Sequence, residues 1–350
     1  MRRALVVLCA ALLAVACAAR TAPPGSQATT PALAVDHVLT ADGLRLPLRA
    51  WRPPGDSSNG EPRAVVVALH GFNDYANAFA AVPSAAGVGP FLAERGFAVY
   101  AYDQRGFGAA PHAGLWPGAD RLRADFGAVL DLARARHPGV PVFALGESMG
   151  GAVVLTALAS AARPPVDGVI LVAPAVWARA TMPALYRVAL WLGARIAPGL
   201  KPSGRGLGRQ ASDNIAMLRA NAADPLFIKN TRIDAIAGLV DLMDEAFAAT
   251  QAHPARIRVP VLYLYGGRDQ IIPREPTLKA VRALPEATVT FAYYPDHWHM
   301  MLRDLNGAGV LADIAAWIAD PGQALPSAAD RDALARLAAA PPGRAPQPGR

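Results

Sequence analysis

The sequence predicts an α/β protein: a mostly parallel central sheet with helices on both faces and a helical insertion over one end. Three observations carry this. Short apolar runs alternate with helix-spaced segments for most of the chain, the order that yields parallel strands joined by crossover helices. Ala64-Val65-Val66-Val67-Ala68-Leu69 is apolar at every position, as a strand covered on both faces must be. Val140 to Ala144 reads as a buried strand that passes through Leu145-Gly146-Glu147-Ser148-Met149-Gly150-Gly151 directly into the helical run Ala152 to Leu158.

The elements follow in order. Met1-Arg2-Arg3 heads an apolar run from Ala4 to Ala16, too short to span a bilayer and built like a secretory signal. Ala14-Val15-Ala16 fits small-residue cleavage, and Leu13-Ala14-Val15-Ala16-Cys17 resembles a bacterial lipoprotein signal with its leucine one place too far upstream. Residues 1–17 are therefore expected to direct export, to the periplasm, either with Cys17 lipidated as a membrane anchor or by simple cleavage. Residues 18–34, rich in Ala, Pro, Ser and Thr, read as a flexible tether. The only cysteines, Cys9 and Cys17, lie in the leader, so a mature domain over residues 35–320 must rely on core burial rather than disulfides.

Asp36 to Trp51 alternates around Asp42-Gly43, a hairpin signal. Strand Ala64 to Leu69 ends in His70-Gly71-Phe72-Asn73-Asp74. A short helix at Pro90 to Arg95, a strand at Phe97 to Tyr102 and the loop Asp103-Gln104-Arg105-Gly106 come next. From Arg121 to Arg136, Leu122, Phe126, Val129, Leu130 and Ala133 share one helical face. A strand at Val166 to Val172 follows the Ser148 segment. The alternation then stops near Ala175 and resumes at Val259, so residues of about 176–250 form an insertion, helical in tone, placed to roof the carboxyl ends of the strands. Thr288 to Tyr294 is the last strand and Val310 to Ile318 lies in the closing helix. Residues 321–350 form a Pro- and Ala-rich tail with one helix candidate, Ser327 to Ala339, and are expected to be disordered.

The charge is local. The chain has 31 arginines and three lysines and a net charge of +7. Val176 to Arg232 contains nine basic residues against two acidic ones, so this segment carries +7 and the remainder of the chain nets to zero. No nucleic-acid motif accompanies it, and an apolar, basic segment suits an anionic interface. Within it, Leu185, Val188, Ala189, Leu192 and Ile196 fall at helical spacing beside Trp191, Arg187 and Arg195. Such a helix either packs its apolar face on the body or lies at a lipid surface.

Gly-x-Ser-x-Gly between a strand and a helix exposes the serine oxygen on a tight, strained turn, beside helix N-terminal amides that suit an oxyanion. A serine hydroxyl needs a base, and the base a carboxylate to orient it. Asp269, in Gly266-Gly267-Arg268-Asp269, is the carboxylate candidate. The base must be His297 or His299, in Asp296-His297-Trp298-His299-Met300-Met301, and the order Ser, Asp, His is the one expected on this sheet. No metal-ligand spacing or phosphate-cradling loop appears, since Gly204-Arg205-Gly206-Leu207-Gly208 has no strand before it.

From about Asp36 to Asp320 the chain resembles an α/β-hydrolase of the monoacylglycerol lipase and lysophospholipase group, related to the S33 serine aminopeptidases. The motifs that carry the resemblance are His70-Gly71-Phe72, Asp103-Gln104-Arg105-Gly106, Gly146 to Gly151, Asp224-Pro225-Leu226, Gly266 to Asp269 and Tyr294 to His299. It implies that His299 is the base, that the amides of Met149 and Phe72 form the oxyanion hole, and that His70 braces the oxyanion loop. It also implies a lipid ester substrate, no cofactor and no metal. The expected protein is a monomer that touches a membrane only peripherally. A carboxylesterase for small soluble esters is the alternative within this chemistry. Outside it stands a ligand-binding lipoprotein without turnover, against which the complete set of Ser148, Asp269, His299 and oxyanion loop argues.

Overall fold

The computed structural model describes residues 19–55, 61–202 and 208–340. The leader with Cys17, Gly204 to Leu207 and the terminal Pro-Gly-Arg repeats lie outside the described residues.

Nine strands form one sheet in the order β1-β2-β3-β5-β4-β6-β7-β8-β9. Strands β1 (Ala32–Leu33), β2 (His37–Leu39) and β3 (Arg45–Trp51) run antiparallel, and β3 joins β5 (Phe97–Tyr102) in the same sense. From β5 onward all pairs are parallel: β4 (Ala64–Leu69), β6 (Val142–Glu147), β7 (Gly168–Val172), β8 (Val261–Gly266) and β9 (Val289–Tyr294). The hairpin turns at Gly43, whose φ of 83° is costly for any residue with a Cβ. β4 lies at the centre and every one of its residues is buried. Alternation along it feeds two cores. Val65, Val67 and Leu69 pack into one, and Val66 and Ala68 into the other.

Helices α2 (Ala119–Arg136), α3 (Met149–Ala159) and α6 (Ile233–Gln251) cover the first face, and α1 (Val88–Ala93) and α8 (Gly307–Ala319) the second. The five apolar positions expected on one side of α2 are all buried. Each fully buried Leu or Phe there contributes about 2 kcal/mol by area. Helices α4 (Ala184–Ile196) and α5 (Ile215–Ala223) lie between β7 and β8, and α6, which closes the insertion, packs along α3. Helix α7 (Arg274–Ala283) is an element that the sequence reading passed over, because Arg274, Glu275, Lys279 and Arg282 mask a short apolar stripe.

Two composition-based expectations need correction. Residues 19–34 are not a free tether: Ala22 is fully buried, its carbonyl accepts from Arg121 Nη1 at 2.7 Å, and the Gly25 amide donates to Asp42 Oδ2 at 2.8 Å. Nor are residues 321–340 disordered. Leu325, Ala329, Ala333 and Leu337 are buried, the last two in helix α9 (Ala333–Ala339), and the Tyr293 amide donates to Ala329 O. Small apolar residues at wide spacing look like a linker by composition, yet they fit flat against a sheet edge and a helix.

Candidate active site

Each candidate residue sits where a parallel strand ends. Ser148 follows β6 with φ 52° and ψ −112°, a left-handed conformation that only tight surroundings can hold in a residue with a side chain. Those surroundings are backbone bonds: the Ser148 amide donates to Val172 O at 2.9 Å, and its carbonyl accepts from Ala175 and Ala152 at 2.9 and 3.1 Å. Gly150 makes the turn sterically feasible, because a Cβ there would lie 2.2 Å from Leu69 O. Met149 is the first residue of α3, so its amide has no partner within the helix.

Asp269 and His299 come from the ends of β8 and β9, which continue side by side past the sheet. The Gly267 amide donates to Tyr294 O and the Arg268 amide to His297 O, at 2.8 and 2.9 Å. The loops approach so closely that a Cβ on Gly266 would lie 2.5 Å from His297 O. Asp269 Oδ1 accepts from the amides of Ile271 and Ile272 at 2.7 and 2.9 Å, which leaves Oδ2 for His299 Nδ1 at 2.8 Å. This carboxylate is fully buried. The other candidate base, His297, faces Asp304 Oδ2 at 3.3 Å instead. The structure thus brings His299 and Asp269 together, with His299 and Ser148 lining one cavity, and turns His297 elsewhere.

Burial opposes a charge on His299, but the Asp269 charge and hydrogen bond, helped by Glu147, outweigh it and raise its pKa above 6.5. As the candidate general base, His299 must be neutral to act, so with it in that role kcat/KM is expected to rise with pH through an apparent pKa above 6.5. A raised histidine pKa also stabilises the fold fully below 6.5, and that contribution fades as pH climbs through the folded value. Rate profiles and thermal melts of wild type and His299→Gln over the same pH series check both signs.

The loop after β4, the candidate oxyanion loop, is braced by buried hydrogen bonds and ion pairs. His70 is fully buried and burial lowers its pKa. Its Nε2 accepts from the Gln104 amide at 2.9 Å, so Nδ1 carries the proton and donates to Gly71 O at 2.8 Å. Asp103 accepts from the amides of Ala76 and Ala109 at 2.9 and 2.8 Å. Arg105 is held between Asp125 and Asp42. All three act as braces in the structure. The Phe72 ring meets Phe107 edge-on at 5.6 Å, and Gly71 lies against Ser148 Cβ. Asp224, from the motif Asp224-Pro225-Leu226, accepts from Tyr75 Oη at 2.6 Å and so joins the insertion to this loop.

Ser148, His299 and Phe72 open into a cavity of about 600 Å³, within the range of small-molecule sites. Its far wall is apolar, with Met182, Tyr186 and Leu190 from the insertion and Leu239, Val240 and Met243 from α6. Beside Ser148 lies a polar cluster that sequence reasoning did not single out. Arg303 Nη1 is 2.8 Å from Asp74 Oδ2 and Nη2 is 3.1 Å from Glu147 Oε2, all three side chains being buried. Arginine four residues after a candidate base has no local signature, and only the fold brings it to the other two loops.

Helix α4 buries none of its residues. Leu185, Val188 and Ile196 are 76%, 61% and 69% exposed, and Trp191 stacks under Arg195 with the guanidinium 4.1 Å from the ring centre. The apolar stripe therefore faces outward rather than onto the body.

Residues 60–306 match the family described as serine aminopeptidase, S33. A monoacylglycerol lipase of Mycolicibacterium smegmatis is 29% identical over 287 residues, covering 79% of this chain and 93% of that relative. A monoglyceride lipase of Rattus norvegicus is 26% identical over 296 residues, covering 81% and 89%. Among solved structures, a soluble variant of monoglyceride lipase from Saccharomyces cerevisiae, in complex with a substrate analogue, superposes with a TM-score of 0.66 at 21% identity, over 86% of this chain and 99% of that one. The monoacylglycerol lipase of Paleococcus ferrophilus gives 0.62 at 22%, over 78% and 98%. These structures share the fold.

Proposed function

The chain belongs to the serine aminopeptidase S33 family and is a serine ester hydrolase of the α/β-hydrolase fold; from that premise we propose that it hydrolyses single-chain lipid esters, monoacylglycerols or lysophospholipids, through Ser148, His299 and Asp269. The observation that carries the reading is the cavity: Ser148, His299 and the polar cluster share it with an apolar wall from the insertion and α6, the combination that one acyl chain with a polar head requires.

In this reading His299 takes the proton of Ser148 Oγ as the oxygen attacks the ester carbonyl. Asp269 fixes the imidazole with its free nitrogen toward the serine and stabilises the imidazolium. The amides of Phe72 and Met149 receive the developing oxyanion, a contribution of about 3 kcal/mol per donor in comparable sites. His299 then gives its proton to the departing alcohol, and water repeats the sequence on the acyl-enzyme.

Each acyl methylene buried on binding contributes about 0.8 kcal/mol. Across a series of monoacylglycerols, kcat/KM should therefore climb with chain length until the cavity is filled, and should exceed that for short soluble esters. A profile that peaks at acetate or butyrate would support the carboxylesterase alternative instead.

The outward stripe of α4 supports a second part of the proposal, that this face meets a lipid surface with Arg187 and Arg195 among anionic headgroups. No helix among the described residues is long and apolar enough to cross a membrane. Export and Cys17 lipidation, read from the leader, would place the enzyme at such a surface.

A further inference from the structure

We propose that Arg303 is a positioning residue for the ester-cleaving site: clamped between Asp74 and Glu147, it sets the register of the three loops that carry oxyanion hole, nucleophile and base, and the net charge that His299 faces. The inference rests on His299 being the base.

The three segments leave different strands, and the backbone pairing of β4 with β6 ends at Leu69 and Gly146, just before Glu147, the last residue of β6. Asp74 follows β4 and the oxyanion segment, Glu147 immediately precedes Ser148, and Arg303 lies four residues beyond His299. One planar guanidinium spans the first two, Nη1 at 2.8 Å from Asp74 and Nη2 at 3.1 Å from Glu147. A displacement of any loop would break one of these contacts. The neighbouring residue extends the tie: Asp304 accepts from the Trp298 amide at 2.8 Å and from Ser212 Oγ at 2.6 Å, which fixes the histidine loop to the insertion. The Arg303 carbonyl also accepts from Asn214 Nδ2 at 3.0 Å.

A buried ion pair is weak evidence of a stability role, since apolar residues of the same volume often serve as well. Its location is the informative point. Asp74, Glu147 and Arg303 all line the cavity beside Ser148 and His299, and Glu147 Oε1 and Arg303 Nε are buried without a hydrogen-bond partner. The cluster holds two carboxylates against one guanidinium, a net charge of −1 with Glu147 ionised. Burial raises the Glu147 pKa and Arg303 opposes that rise, so the guanidinium also helps to keep Glu147 charged beside the site where an imidazolium must form. The other charged groups around His299 are its partner Asp269 and, across the cavity, Arg209; His297 and Asp304 engage each other. Glu147 favours the imidazolium and Arg303 opposes it, so the two tune the base in opposite directions.

Opposite tuning gives a test that a merely structural role would not pass. The pH dependence of kcat/KM is measured on a soluble ester for wild type, Glu147→Gln, Arg303→Met, Arg303→Lys and the double variant Glu147→Gln/Arg303→Met. The acid limb should fall by about one pH unit in Glu147→Gln and rise by a similar amount in Arg303→Met, as expected of a unit charge several ångströms away at an effective dielectric of about 20. The double variant restores the net charge, so its limb should return to the wild-type position. Its kcat should stay about 100-fold low, because the register is still lost. Arg303→Lys, which keeps the charge without the fork, should show the same low kcat with an unmoved limb. Should Arg303→Met not fold, the isosteric Glu147→Gln decides alone through its downward shift. Limbs that stay in place in both single variants, or move in the same direction, would overturn the proposal. A wild-type protein with no acid limb and no labelling of Ser148 by a fluorophosphonate would instead overturn the assignment of His299, and this inference with it.

Discussion

Replacing Ser148 with alanine is expected to lower kcat by about 10⁶-fold on every ester the protein cleaves, with KM little changed. The size follows from the proposed mechanism, in which the substitution removes the atom that forms the covalent bond and leaves only the oxyanion donors and substrate orientation. The fold should survive. Both side chains meet the same backbone conformation at φ 52°, and the turn is held by bonds to Val172, Ala152 and Ala175 that do not involve the hydroxyl. A thermal melt within a degree or two of wild type, a shift of about 0.5 kcal/mol or less, accompanied by loss of turnover would separate a catalytic from a structural role. Retained turnover would place the nucleophile elsewhere.

Asp269→Asn is expected to cost about 10⁴-fold in kcat, because an amide can hold His299 in the tautomer that presents a proton rather than a lone pair to the serine. It also has a pH signature. Burial opposes the imidazolium, and removing the Asp269 anion and its hydrogen bond takes away the main forces that outweigh burial. The acid limb of the residual activity should therefore move to lower pH, visible in profiles between about pH 5 and pH 9. Full activity in Asp269→Asn, or a limb moved upward, would contradict the assignment. His297→Ala is the control. Its ring contacts Asp304 and Tyr294 and is absent from the cavity wall, so it should leave the limb in place.

Most of the sheet was legible because its strands are apolar at every position, a pattern that two covered faces require. The Ser148 junction was legible because glycines at 146 and 150 mark a turn in which a Cβ would strike backbone. The choice between His297 and His299 was not legible from local pattern and came from the family resemblance, since the pairing with Asp269 forms across two strand ends 30 residues apart. Besides helix α7, three features escaped for physical reasons. The docked termini are alanine-rich and bind by flat contact rather than by a periodic stripe. The outward face of α4 has the spacing of a core helix, and nothing in the sequence distinguishes an apolar stripe that meets the body from one that meets solvent. The Asp74, Glu147 and Arg303 cluster joins residues up to 229 positions apart, so only the assembled fold reveals it.

The most direct test of the account is covalent trapping with a long-chain alkyl fluorophosphonate, followed by intact mass and peptide mapping. One adduct per chain on Ser148 is predicted. It should be absent from Ser148→Ala, formed far more slowly in His299→Ala, and unaffected in His297→Ala. An adduct on another residue, or rapid labelling of Ser148 without His299, would contradict a nucleophile at the end of β6 activated by the histidine beyond β9.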